Sequence, residues 1–205
     1  ILTGGDPLLL DDDRLEDILT RLHMIPHLEI IRVGSRVPVT LPSRITPELC
    51  GLLARFQPLY LNTHFNHPRE IVSASIEACT RLADAGIPLG NQTVLLGGVN
   101  DDPAVMIDLC RKLLKMRVRP YYLHHLDQAR GTAHFRVPVE RGLEIIAAMR
   151  GQLSGLGIPQ YVVDPPGGQG KVPLLPENLL QVGEVLKVRT ADGVVELPNR
   201  RRQLI

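Results

Sequence analysis

The segment Asp164-Pro-Pro-Gly-Gly-Gln-Gly-Lys171 concentrates the most chemistry in the fewest residues. Its three glycines permit a tight backbone beside a ligand and deliver one lysine directly after them. A lysine presented alone by such a loop forms a Schiff base when desolvation lowers its pKa; a surface turn with a solvated lysine fits the same spacing. The loop is not a Walker A loop, because Val172 stands where Ser/Thr would be and the spacing differs. Asp127 and Asp164 each follow an apolar run, which suits paired carboxylates for acid–base chemistry, a metal or an ammonium clamp, and suits two helix caps as well. His64 and His67 bracket Phe65 and Asn66, where they could ligate or hydrogen-bond a substrate. His124 and His125 are neighbours, so in a strand they face opposite ways and do not easily share one ion. Gly4-Gly5-Asp6 could meet a ligand's amino or carboxylate group through bare backbone. No G-x-G-x-x-G and no G-x-S-x-G occurs, which argues against dinucleotide binding and against a nucleophile-elbow hydrolase.

Strands and helices alternate around these residues. Apolar runs at Leu28 to Val33, Leu59 to Thr63, Thr93 to Leu96, Val118 to Leu123 and Tyr161 to Val163 predict strands. Amphipathic stretches at Asp13 to His23, Pro47 to Phe56, Pro68 to Ala85, Pro103 to Met116 and Pro138 to Leu153 predict helices. Thr46-Pro47 and Asp102-Pro103 place a cap before a first-turn proline, and Gly86 with Pro88 stops the third helix. The alternation implies βα units with a parallel sheet, and near-continuous apolar runs imply strands buried on both faces. Gly4-Gly5-Asp6, Gly34-Ser35-Arg36, His64 to His67, Asn91-Gln92, His124 to Asp127 and Asp164 then collect at strand C-termini, where such folds build active sites. Val185 to Leu197 reads as an appended β-hairpin.

The 205 residues carry a formal net charge of +1, with 22% charged and 44% hydrophobic. That balance gives no footprint for nucleic acid or an anionic membrane, and Arg200, Arg201 and Arg202 read as a solvated terminus. No apolar run approaches the roughly 20 residues of a membrane span, so a cytoplasmic location is expected. Cys50, Cys79 and Cys110 lie too far apart for a local metal cluster or a disulfide framework. The start at Ile-Leu-Thr-Gly-Gly reads as a strand end, as if the sequence began part-way into a domain.

Seven blocks together resemble the lysine 2,3-aminomutase family of radical S-adenosylmethionine (SAM) enzymes. They are Thr3-Gly-Gly-Asp-Pro7, Arg32-Val-Gly-Ser-Arg36, Leu61-Asn-Thr-His-Phe-Asn-His-Pro68, Gly90-Asn-Gln92, Arg119-Pro-Tyr-Tyr122, Gly131-Thr-Ala-His-Phe135 and Pro166-Gly-Gly-Gln-Gly-Lys171, in order and with spacing kept. The resemblance implies an α/β fold, a partial parallel (βα)6 barrel missing its first strand, with a C-terminal β-hairpin extension. Residues 1–164 would form the barrel portion and 165–205 the lysine loop and extension.

By the same resemblance the protein would be an isomerase moving the α-amino group of L-lysine to the β carbon, using SAM, a 4Fe-4S cluster and pyridoxal 5′-phosphate (PLP). Lys171 would hold PLP as an imine. Gly4, Gly5, Asp6, Arg36, His64 and Gln92 match SAM-contacting positions. Asp127 and Asp164 match the carboxylates that hold the substrate's distal ammonium, which favours lysine over glutamate. The cluster motif C-x-x-x-C-x-x-C is absent and is expected upstream, so this stretch alone should not cleave SAM, and no metal site is expected within it. Asp102 stands where some members have a zinc cysteine, so no zinc is expected either. Two alternatives stay open: the branch that makes β-lysine for elongation factor P, which His124-His-Leu-Asp127 somewhat resembles, and a non-catalytic barrel remnant. Self-association is not decided by the sequence.

Overall fold

Side-chain caps and prolines set most helix starts. Helix α1 (Asp12–His23) begins where the Asp11 carboxylate accepts from the Arg14 amide, and Asp12 and Asp13 place negative charge at its positive end. Strand β1 (Ile31–Gly34) and a single helical turn, α2 (Val37–Thr40), precede α3 (Pro47–Ala54), where the Thr46 hydroxyl accepts from the Leu49 amide at 3.2 Å. The order continues β2 (Leu59–Thr63), α4 (Ser73–Asp84), β3 (Leu89–Val94), α5 (Pro103–Lys115), β4 (Val118–His124), α6 (Val139–Arg150) and β5 (Gln160–Val163). Short strands β6 (Val172–Pro173) and β7 (Leu179–Gln181) and the hairpin β8 (Val185–Thr190) and β9 (Gly193–Pro198) follow. This computed structural model describes residues 1–175, 179–190 and 193–199. The Arg200 to Arg202 cluster and the Ala191-Asp192 part of the hairpin turn lie outside the described residues.

Six strands form one sheet in the order β1-β2-β3-β4-β5-β6, and β7-β8-β9 form a second, antiparallel one. The registers of β1 with β2, β2 with β3 and β4 with β5 are parallel. Each helical crossover thus advances the chain by one strand, the progression of a βα barrel. Strand β6 runs antiparallel to β5, which the parallel pattern did not anticipate.

Contacts group the chain into two units, residues 1–65, 69–91 and 112–119 in the first and 66–68, 92–111 and 120–205 in the second. Leu15, Leu19, Val33, Leu49, Leu53, Leu59, Leu61 and Leu82 are fully buried in the first. Leu95, Met106, Leu109, Leu123, Val139, Ile145, Met149 and Val162 are fully buried in the second.

Several details differ from the sequence expectation. Strands β1 and β3 alternate buried and half-buried residues instead of being covered on both faces. Strand β3 starts at Leu89 rather than Thr93; its Gly90-Asn91-Gln92 stretch looks like a loop in sequence, yet Asn91 is almost fully buried. The helix expected over Pro68 to Ala85 breaks into a 3₁₀ turn, Pro68–Glu70, and α4, with Ser75 Oγ accepting from the Val72 amide at 2.9 Å.

Helix α6 is capped from a distance. Pro138, at its N-cap, makes no side-chain cap bond. Asn199 supplies one: its Oδ1 accepts from the Val139 amide at 2.9 Å, and its Nδ2 donates to the Gly183 carbonyl at 2.8 Å and to the Glu140 carboxylate at 3.0 Å.

Candidate functional site

In the first unit, Leu2 pairs in parallel with Val33, so the N-terminal residues run as a short extension beside β1. The chain then turns through Gly4 and Gly5 at φ 92° and 62°, a left-handed conformation that glycine adopts without strain. No atom lies within 4 Å of where a Cβ would stand on either, which leaves the backbone open to a ligand. Asp6 fastens this turn: one carboxylate oxygen accepts from the Leu8 amide at 3.1 Å, the other from the Arg36 amide at 2.7 Å. The Arg36 guanidinium pairs with Glu70 at 2.9 Å. His64 stands one residue past β2, half-buried. The next residue is held on both sides of its backbone, since Asn91 Oδ1 accepts from the Phe65 amide at 2.7 Å and Asn91 Nδ2 donates to the Phe65 carbonyl at 3.1 Å. The side chain of Asn91 therefore imitates a neighbouring strand and fixes the path that carries His64. The sequence puts Asn91 among the polar residues at strand C-termini, but this hold on Phe65 depends on a partner 26 residues away.

In the second unit, His124 Nε2 and Gln92 Oε1 lie 3.3 Å apart. The Tyr122 ring meets the His124 ring edge-on at 5.5 Å, as residues two apart on one strand face can. Above Tyr122, with its Nζ 6.0 Å from the ring centroid, sits Lys171. Its ammonium also meets Asp164 Oδ2 at 2.5 Å. The loop that presents it turns through Gly167, Gly168 and Gly170 at φ 90°, 73° and 75°, where a side chain would be strained. Asp127 lies three residues past β4. Burial pushes its carboxyl pKa up, the negative charge of Asp164 adds to that, and Lys171 opposes both. Asp127 and Asp164 share a pocket with His125, Arg136, Leu197 and Pro198. The last two belong to β9, whose part in this pocket no sequence motif announced.

His125 faces away from His124 and is buried, its Nδ1 2.8 Å from the Tyr161 hydroxyl. Burial, then the charge of Arg136, depress the imidazole pKa to about 4 against the opposing pull of Glu140. A neutral imidazole accepting the phenol hydrogen satisfies both buried groups.

Among the described residues, no three His, Cys, Asp or Glu side chains come together as a metal site. Cys50, Cys79 and Cys110 are buried and unpaired in disulfides, and burial pushes the Cys79 and Cys110 thiols up to about 12. Iron–sulfur clusters take thiolates, so these cysteines do not fit one.

Comparison with known proteins follows the same lines. A domain of a pyruvate-formate lyase-activating enzyme from Bacteroides vulgatus superposes with a TM-score of 0.56 over 80% of this chain and 97% of that one, at 17% identity. Strand order and superposition define the fold, a partial βα barrel with an added antiparallel sheet. Residues 146–198 match the family described as lysine-2,3-aminomutase. Over 95% of the chain, identity is 53% to L-lysine 2,3-aminomutase of Fusobacterium nucleatum and 51% to glutamate 2,3-aminomutase of Clostridioides difficile, each covered over 46% of its own length. Along 95% of its length the chain is thus similar to lysine 2,3-aminomutases. It spans about half the length of the curated relatives it matches.

Proposed function

We propose that the protein converts L-lysine to β-lysine by moving the α-amino group to the β carbon, and that this chain supplies the cofactor-bearing lysine and the residues that select the substrate. The observation that carries this reading is the Lys171 ammonium seated on Asp164 beside Asp127, at the end of the glycine loop. Relatives named for lysine and for glutamate are almost equally similar, so substrate choice has to be argued from the site. Two carboxylates attract the distal ammonium of lysine and repel the distal carboxylate of glutamate.

The residues present fit PLP: the Lys171 side chain is about one-third exposed, reachable, and held by a loop with open space around its glycines. They also fit SAM at the Gly4-Gly5 turn, whose bare backbone is open. They do not fit the cluster, because the three cysteines are buried and far from one another in sequence. When bound, PLP supplies an electron sink for the migrating nitrogen and SAM a hydrogen-abstracting radical. Lys171 gives up a proton and offers its Nζ lone pair as the point of attachment. Asp164 holds whichever ammonium faces it, and Asp127, whose carboxyl keeps its proton more readily than an isolated aspartate, completes the clamp. Asp6 and Asn91 hold the Gly4-Gly5 turn and the path of His64 in place, and His124 orients Gln92. A cytoplasmic setting belongs to this reading; among the described residues no helix is long and apolar enough to cross a membrane.

The test is optical. Adding PLP to the full-length protein should produce an imine absorbance band that Lys171→Ala abolishes. A band that survives the substitution would remove Lys171 from this role.

A further inference from the structure

Lys171 and a lysine substrate end in the same chemical group, and the structure offers that group one seat. The Lys171 Nζ lies 2.5 Å from Asp164 Oδ2 and 6.0 Å from the Tyr122 ring centroid, and its charge also stabilises the carboxylate of Asp127. An alkylammonium thus already neutralises the two-carboxylate pair from within the chain. We propose that in the cofactor-free protein Lys171 occupies the seat of the substrate's distal ammonium, so that capture of Lys171 by an aldehyde and binding of an alkyl cation at Asp127 and Asp164 favour one another. This rests on the reading that Lys171 carries PLP and the two aspartates hold the substrate.

Condensation removes the competing ammonium group. The ammonium loses a proton to solvent, the amine attacks the aldehyde carbon, a C=N bond forms and one water leaves. The nitrogen then carries at most one hydrogen in place of three, so Asp164 loses its ammonium donor. Two facing carboxylates without a cation repel each other, which raises their affinity for an external one. Linkage makes the effect reciprocal: a cation that takes the seat frees Lys171 for the aldehyde by the same factor. The ion pair is about one-third exposed on each side, which places the coupling at the low end of the ordinary range, about fivefold.

The experiment titrates the full-length protein with PLP, read by the imine band, with and without saturating n-butylguanidinium. That cation cannot condense with an aldehyde and suits a carboxylate pair. The expected result is a PLP Kd lowered about fivefold by the cation in the wild type. Asp164→Asn should still form the band, with a Kd the cation no longer changes, and Asp127→Asn should show a reduced response. A wild-type titration unaffected by the cation overturns the coupling, whether the cation fails to bind or binds without effect. Loss of the coupling with a Lys171-dependent band intact leaves the cofactor assignment standing, whereas a band that persists in Lys171→Ala removes both.

Discussion

Asp164 meets an ammonium at 2.5 Å, while Asp127 carries a carboxyl whose proton affinity is raised by burial and by Asp164 itself. Such a pair works as a cation detector: each carboxylate makes the other costlier to leave unpaired. Asp127→Asn or Asp164→Asn should therefore raise the KM for lysine up to about fivefold, the size of a partly exposed ion pair, without creating use of glutamate. Steady-state kinetics of each variant checks this, and an unchanged KM would contradict the clamp. Both aspartates and Lys171 were legible in sequence, because each lies next to a strand end or a glycine run whose local meaning does not depend on the rest of the chain. What Tyr122, Asn91, Leu197 and Pro198 do there was not, although Asn91 stood among the polar residues at strand ends. Their roles come from what the fold lays across them: Lys171 over a ring, a strand edge beside Phe65, a hairpin against the pocket.

At the scale of elements, Gly142 shows how a helix is shaped by its neighbour. A Cβ there would stand 2.2 Å from Cζ of the buried Tyr161 ring on β5. Alanine normally gains about 1 kcal/mol over glycine in a helix interior. Here overpacking against a buried ring wins, and Gly142→Ala should destabilise by about 1–3 kcal/mol. Denaturant unfolding measures it; a neutral or stabilising result would mean that Tyr161 has room to move. The sequence predicts α6 almost to its ends but presents Gly142 only as a weak spot, since the reason lies on another strand. The same holds for the α6 cap: Pro138 marks the start, while Asn199, 60 residues past Val139, makes the bond. Strand β2 matched its expected bounds because its residues alternate with no glycine or proline between them. Strand β3 did not, because its buried asparagine serves the site rather than the core.

For the whole molecule, acid sensitivity follows from His125. Its imidazole titrates near 4 when folded, against the ordinary value of 6.5. Between those values the unfolded chain binds a proton that the folded chain refuses, so stability is full above about pH 6.5 and falls as pH drops toward 4, by up to about 3 kcal/mol. Unfolding curves at several pH values should show that slope, and His125→Gln should flatten it; an equal slope in the variant would place the acid sensitivity elsewhere. The βα progression was legible across the chain because apolar runs alternate with amphipathic stretches, several of them opened by a proline or a capping side chain. Burial on both strand faces was a misreading, since the face that carries Tyr122 and His124 stays half-open for the site. The central claim concerns what the site takes. The most direct test incubates the anaerobically prepared full-length protein with SAM, PLP, a reductant and equal L-lysine and L-glutamate, with the amino acids identified by mass spectrometry. β-Lysine with glutamate left intact is the predicted result; β-glutamate, or no β-amino acid from a protein that carries its cluster and PLP, would contradict it.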